Sequence, residues 1–374
     1  MEKVITKTVL IIKNDTILCI ASILAVLSSF FVKPSLSYIN YIDFRVLAIL
    51  FCFMLVVAGL QQIGVFKNIG IYLEKKVKTI KGFCLVLTLL CFFLSMLITN
   101  DATLITLVPL TIATLNTEQY KRHLMPIIII ETIAANLGSM LTPMGNPQNL
   151  YLFSLSNVTA TRFMLDMLPL TIISLLLIIF LIVIQKNEVL IITELNSQTE
   201  NINKKSLVVY CLLFIILLLN VLNILPYKLV FFIVTIAVLF WNKKLFRCVD
   251  YSLLLTFVAF FIFIGNIGSI NIIKTFLEQI ILGNEFLGGI LTSQFMSNVP
   301  AAMLLSRFTT NYTSLLWGVN AGGLGTLIAS MASLISYKFY ANAFPNQRSK
   351  YILLFSIYNF IPLVIMLIFG IITL

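Results

Sequence analysis

The sequence predicts an all-α polytopic membrane protein built from two inverted-topology repeats, each with a helix pair, as a re-entrant hairpin or a tight pair of spans, and an unwound helix. Three observations predict it. The 374 residues are 60% hydrophobic and only 10% charged, with a mean hydropathy of +1.05, where soluble domains carry about 25% charged residues. Apolar runs near the roughly 20 residues that a hydrocarbon core requires recur along the chain. Polar and helix-breaking residues gather at a few places inside that apolar sequence, and the places in one half resemble those in the other.

The N-terminal Lys3, Lys7 and Lys13 precede an apolar segment without a small-residue cleavage site. That pattern reads as an uncleaved first span at 15–33 rather than a signal peptide. Further spans are expected at 44–65, 83–98, 163–184, 207–225, 228–241, 251–270 and 351–374, and the regions 99–115, 124–156 and 286–340 are apolar but interrupted. With a cytoplasmic N-terminus, all of the 25 Lys and Arg fall on the cytoplasmic side except Lys33, Arg45, Arg162, Lys228, Lys274 and Arg307. This positive-inside bias predicts a plasma (inner) membrane protein with its N-terminus in the cytoplasm and its C-terminus outside. The count requires 83–115 and 286–310 to enter and leave on one side, as re-entrant hairpins or as tight pairs of spans. A polar linker, 185–206, with Lys186, Glu188, Glu194, Glu200, Lys204 and Lys205, separates 1–184 from 207–374. The first part is a span plus the first repeat, and the second is the other repeat plus a last span.

Composition also excludes function classes. The net charge of +11 does not point to nucleic acid, because the basic residues are scattered through short loops. Five of the six cysteines (Cys19, Cys52, Cys84, Cys91, Cys211 and Cys248) lie in apolar runs and none forms a Cys-x-x-Cys pair, so neither a metal centre nor a disulfide is expected. The lone His123, beside Lys121 and Arg122, reads as a solvated loop residue. With no His in a span and no His-Glu-x-x-His motif, the chain does not read as an enzyme and calls for no organic cofactor.

Residues 136–150 are the most informative stretch. They sit inside the apolar run from Leu124 to Phe153, yet carry Pro143, Pro147, Gly138, Gly145, Asn136, Asn146 and Asn149. Each Pro removes a backbone donor and crowds the preceding turn. Backbone freed in this way at membrane depth normally lines a cavity; the alternative is a Pro-kinked helix packed by small residues. The stretch aligns with 320–334, where Asn136/Asn320, Gly138/Gly322, Thr142/Thr326 and Leu150/Leu334 coincide, Gly145 faces Ala329 and Asn146 faces Ser330. Ser95–Asn100 aligns likewise with Ser293–Asn298, and Asp43-Phe44 with Asp250-Tyr251. By the charge count the span 44–65 runs inward and 251–270 outward, so the repeats are inverted. Inverted repeats with interrupted segments in corresponding positions point to a secondary transporter with a midplane site.

Hydroxyl and amide oxygens, with carbonyls freed at a break, suit a desolvated Na⁺, whereas half-helix N-termini with Asn and Thr donors suit an anion. Substrate contacts are expected from Asn100, Thr142, Asn146, Asn149, Asn298, Thr326 and Ser330. Ligands for a coupling ion, Na⁺ or H⁺, are expected at Thr99, Asn100, Asp101, Gly138, Gly145, Ser297, Asn298, Gly322 and Ala329. Asp101 is the sharpest of these, because a carboxylate in an apolar run is costly and by default functional; the structural alternative is a pair with a nearby Lys or Arg. Glu131 is deep enough to serve either function or structure, and Arg307 is expected to snorkel to the outer interface.

In order and spacing, ITNDATLITLVPLTI, NLGSMLTPMGNPQNL, SNVPAAMLL and VNAGGLGTLIASMASLI resemble segments of the ion-transporter superfamily, specifically its citrate-transporter-like anion permeases. The likeness runs from about Ile42 to Tyr340. It implies a dimerising scaffold, elevator-like alternating access, and a small anionic substrate such as a carboxylate or oxyanion. In the dicarboxylate branch two Ser-Asn-Thr tips contact the carboxylates and help form Na⁺ sites; here the tips read Thr99-Asn100-Asp101 and Ser297-Asn298-Val299. The Asn is kept at both, and the third hydroxyl is replaced at both. A cation/proton antiporter, an arsenite-type efflux permease and an ion channel are the alternative readings.

Overall fold

The structure is a computed structural model that describes residues 16–36, 38–74, 77–117, 119–190 and 202–374. Lys3, Lys7, Lys13, Lys75, Lys76, Glu194 and Glu200 lie outside them. Among the described residues the fold is all-α, and eight helices are long and apolar enough to cross a membrane. The chain is a multi-pass membrane protein.

After α1 (Thr16–Ser29) the helices of the first half are α2 (Phe44–Gln62), α3 (Val65–Glu74), α4 (Ile80–Ile98), α5 (Asn100–Leu115), α6 (Lys121–Gly138), α7 (Pro147–Ser156) and α8 (Ala160–Val183). Then come α9 (Lys204–Val221) and α10 (Tyr227–Asn242). The second half is α11 (Tyr251–Ser269), α12 (Asn271–Ile281), α13 (Glu285–Met296), α14 (Asn298–Leu305), α15 (Tyr312–Ala321), α16 (Met331–Ala343) and α17 (Arg348–Thr373). Each half thus runs through a long helix, a short one, a helix pair, a broken helix and a long helix. Among the described residues α1 ends at Ser29, before its apolar run does. The aspartates that open each half are N-caps, with Val46 N–H donating to Asp43 Oδ1 at 3.0 Å and Leu253 N–H to Asp250 Oδ1 at 2.9 Å. Each satisfies a donor that the helix start leaves open.

Both helix pairs are hairpins. α4 runs alongside α6 in the same direction, with Phe92 against Gly138 and Met96 bonded to Thr142. α5 runs against α6, since Asn100 meets Asn136 and Thr111 meets Glu131 further back. The chain therefore reverses at Thr99. In the second half Phe286 lies on Gly318 and Gln294 on Gly322, while Thr309 returns to Glu285, so the reversal falls at Ser297. Both reversals use a single residue at positive φ, Thr99 at 84° and Ser297 at 74°. Non-glycine residues pay about 1–3 kcal/mol for such backbone and hold it only where the surroundings over-determine it, often at functional sites.

The helices sort into two groups that also touch each other, α11 on α14 and α2 on α7. α2 packs on α9 and α10, and α11 packs on α1. The hairpins and broken helices pack on one another and on α8 and α17. In its most apolar window the α6 segment is 89% buried, against 22% for α10. The interrupted helix is therefore the centre of the molecule, and α10 belongs to its periphery.

Candidate functional site

The first break is held by its own polar residues. α6 ends in a 3-10 turn at Ser139–Leu141, and α7 restarts at Pro147 with Asn146 as N-cap, its Oδ1 accepting from Asn149 N–H at 2.9 Å. Pro147 occupies the first helical turn, where a missing N–H costs nothing. The interruption leaves carbonyls without helical donors, and the Asn149 amide donates to three of them: Ser139 O (3.3 Å), Met140 O (3.1 Å) and Thr142 O (3.0 Å). Gly145 is required by space, because a Cβ there would stand 2.0 Å from Ser139 O.

Each break is latched to its own hairpin. Thr142 Oγ1 donates to Met96 O at 2.5 Å, and Thr326 Oγ1 donates to Gln294 O at 3.0 Å. Met96 and Gln294 are corresponding positions, each three residues before its tip, so these bonds match the two repeats residue for residue. Gln294 also donates to Gly322 O (2.9 Å) and Leu324 O (3.0 Å), and accepts from Thr326 N–H (2.9 Å). It does for the second break what Asn149 does for the first. Sequence reasoning missed Gln294; its signal was an amide within one turn of a hairpin tip in an apolar run.

Between the halves the bonds are reciprocal. Asn136 Oδ1 accepts from Ser330 Oγ at 2.9 Å, and its amide donates to Ser333 Oγ at 3.3 Å. Asn320, its repeat mate, accepts from the Asn146 amide at 3.1 Å and donates to Asn149 Oδ1 at 2.7 Å. Ser330 corresponds to Asn146 and Ser333 to Asn149. Residue i of one half thus meets residue j of the other, and j meets i.

The tips join this cluster. Asn100 donates its amide to Asn136 Oδ1 (3.0 Å) and its backbone N–H to Gly145 O (3.1 Å). Asn298 lies against Gly323, where a Cβ would stand 2.9 Å from its Nδ2. Asn100, Asn298 and Ser297 are buried, as are Gly138, Gly322, Ala329 and Ser330. Asp101 is half-buried in the first turn of α5 and has no ion pair among the described residues, so the expected structural alternative of a nearby Lys or Arg is not what the structure holds. Asn136 Oδ1 gathers the start of α5 and the start of α16, and Asn320 gathers the start of α7. Converging helix N-termini place partial positive charge in one buried polar cluster. The sequence-predicted residues of both breaks and the Asn100 tip are thereby joined by hydrogen bonds, with Asn298 packed against the second break. Asn136, Ser139, Asn320 and Ser333 complete the cluster.

Of two further groups, Glu131 is as deep as expected and His123 departs from expectation. Glu131 is fully buried; Oε1 accepts from Thr111 Oγ1 at 2.6 Å and Oε2 has no hydrogen-bond partner. His123 is not a solvated loop residue. It is buried in the first turn of α6, 3.1 Å from Glu188 Oε2, and Arg122 pairs with the same carboxylate. The reason is tertiary: residues 188–190 fold back beside the start of α4, where Ile80 N–H donates to Glu188 O and Leu190 N–H to Lys78 O. Hydrogen bonds from Arg122, then His123, hold the Glu188 carboxyl below the usual carboxylate range.

A multi-pass bundle whose broken helices and hairpin tips meet in one buried polar cluster defines a membrane transporter. The chain belongs to the citrate transporter family, whose description matches residues 4–314. An uncharacterized transporter of Methanocaldococcus jannaschii is 35% identical over 302 residues, covering 80% of this chain and 82% of that protein. The inner membrane protein YbiR of Escherichia coli is 30% identical over 300 residues, 79% of this chain and 80% of that one. A silicon efflux transporter of Oryza sativa subsp. japonica is 29% identical over 130 residues, 34% of this chain and 26% of that protein.

Proposed function

We propose that this chain is a secondary active transporter that moves a small anion, a carboxylate or an oxyanion, across the plasma (inner) membrane with Na⁺ or H⁺ as coupling ion. One observation carries the reading: the reciprocal bonds by which Asn136 and Asn320 join the two helix breaks. A cluster shared equally by two halves is what inverted repeats around a midplane site would produce. The distribution of Lys and Arg supports a cytoplasmic N-terminus and an outer C-terminus. The N-termini of α5, α7, α14 and α16 favour negative charge, and Asn100 and Asn298 are the amides we assign to the substrate. Thr142 and Thr326 hold the hairpins in register. In an elevator-like cycle the hairpin body moves against a scaffold of α1, α2, α9, α10 and α11, and that scaffold pairs with a second copy.

Asp101 supports a second reading. A half-buried carboxylate without a cationic partner suits cation/proton antiport, and a relative named for efflux keeps that direction open. The test is a thermal-shift and proteoliposome-flux screen against citrate, succinate, arsenite and phosphate, with and without Na⁺. An anion that both stabilises the wild type and is transported, and that does neither in Asn298→Ala, is the expected result. Cation flux with no response to any of these anions would transfer the assignment to antiport.

A further inference from the structure

A cavity of about 640 Å³ is lined among others by Asp43, Arg45, Tyr151, Tyr227, Arg307 and Tyr312. Its inner wall includes Tyr151 Oη and Ser306 Oγ, 3.1 Å apart and both buried. Tyr151 follows the N-cap Asn146 along α7, and Ser306 follows the tip Asn298 along α14. At 1.5 Å per residue these bridge atoms stand about 7 and 12 Å along their helices from the break and the tip. The Tyr151–Ser306 contact thus lines the cavity on the same two helices, α7 and α14, whose N-terminal ends reach the polar cluster.

Its charges do not cancel. Both oxygens of the Asp43 carboxylate are engaged, one by Val46 N–H and the other by Ser154 Oγ. Arg45 is held at one end by the neutral Asn223 amide, with Nη2 donating to Oδ1 at 2.7 Å. Arg307 is exposed and has neither a hydrogen bond nor an ion pair among the described residues. Two guanidinium groups without a carboxylate partner therefore face one concave space. Such a space focuses positive potential, and the planar guanidinium fork matches carboxylates and oxyanions. Arg307, expected to snorkel to the outer interface, is one of the residues that line this space.

We propose that this cavity is an anion-binding antechamber, in which Arg45 and Arg307 hold a small carboxylate or oxyanion before it passes the Tyr151–Ser306 contact. Its place on a transport route rests on the function proposed above, whereas the anion site itself does not. The test uses purified full-length protein in detergent, with the accessible Cys19, Cys211 and Cys248 replaced by Ser and the exposed, cavity-lining Thr310 replaced by Cys. Rates of modification are compared at low salt for an anionic sulfonatoethyl and a cationic trimethylammonioethyl methanethiosulfonate.

The anionic reagent is expected to react faster, and citrate is expected to slow it. Arg307→Gln should lower the anionic-to-cationic rate ratio about tenfold, at the lower end of what focused fields produce. Arg307→Lys should keep most of the ratio, and raising the salt should collapse it. A ratio unchanged in the Arg45→Gln/Arg307→Gln double variant would overturn the proposal. The labelling needs no transport, so a chain that moves none of the screened anions still gives a readable ratio.

Discussion

The two helix breaks meet the same physical requirement with different side chains. In the first, the freed carbonyls are satisfied from within, by Asn149 on the half-helix that follows. In the second they are satisfied from outside, by Gln294 on the hairpin arm. The 3-10 turn comes before the first break proper, at Ser139–Leu141, and after the second, at Leu327–Ala329. What the repeats share is the placement of backbone: the positive-φ tips, the threonine latches and the Asn at each break. The donor that satisfies the loosened carbonyls is free to differ, because in a dry interior any amide in reach serves. The difference also loads charge unevenly, with Asp101 at one tip and Val299 at the other.

This comparison yields tests of decreasing effect. Asn149→Ala removes a donor to three buried carbonyls, of which Thr142 O keeps the Gly145 N–H, and unsatisfied buried groups cost about 1–3 kcal/mol each. Its repeat mate Ser333 accepts one long bond from Asn136. Thermal unfolding in detergent should therefore show Asn149→Ala abolishing a stable fold and Ser333→Ala lowering the midpoint only slightly; equal losses would break the asymmetry. The glycine test comes next. Gly145→Ala would place a Cβ 2.0 Å from Ser139 O, whereas the matching position already carries Ala329. Overpacking of this kind costs about 1–3 kcal/mol, and Ala329→Gly should cost less than Gly145→Ala in the same melts.

The charge asymmetry is read by flux. Once a transported anion is known, Asp101→Asn should change the Na⁺ or pH dependence of uptake, while Val299→Ala leaves it as in the wild type; matching profiles for all three proteins would remove Asp101 from coupling. The smallest effect belongs to the surface. A carboxyl held low when folded contributes stability that is present above its unfolded pKa and lost as pH falls through its folded one. The contact of 188–190 with α4 and α6 should thus loosen only below the ordinary carboxylate range, seen as faster amide exchange at Ile80 and Leu190. Glu188→Gln should show that faster exchange already at neutral pH.

Much of the architecture was legible before any contact was known. Pro143 and Pro147 in an apolar run announce a broken helix, and the alignment of Thr142 with Thr326 is matched by identical bonds to the residues three before each tip. Re-entrant hairpins and paired spans both reverse at their turns, as the chain does at Thr99 and Ser297, and α4 is itself one of the eight helices long and apolar enough to cross. His123 misled because its partner, Glu188, arrives from a linker distant in sequence. Gln294 passed unnoticed because one amide among apolar residues looks alike whether it faces a carbonyl or the bundle exterior.

What the sequence determined by itself was local: where helices start, where they break, and which breaks correspond. Propensity, capping and the hydrocarbon's intolerance of open backbone act over a few residues, so they are written in short stretches. What only the tertiary structure decided was which donor meets which acceptor across the halves. Asn136 finds Ser330 and Ser333, and Asn320 finds Asn146 and Asn149. The same packing leaves Arg45 and Arg307 lining one cavity, with no ion pair to its single carboxylate, Asp43. Those pairings depend on how the broken helices of the two halves seat against each other, a property of the packed whole that no single stretch contains.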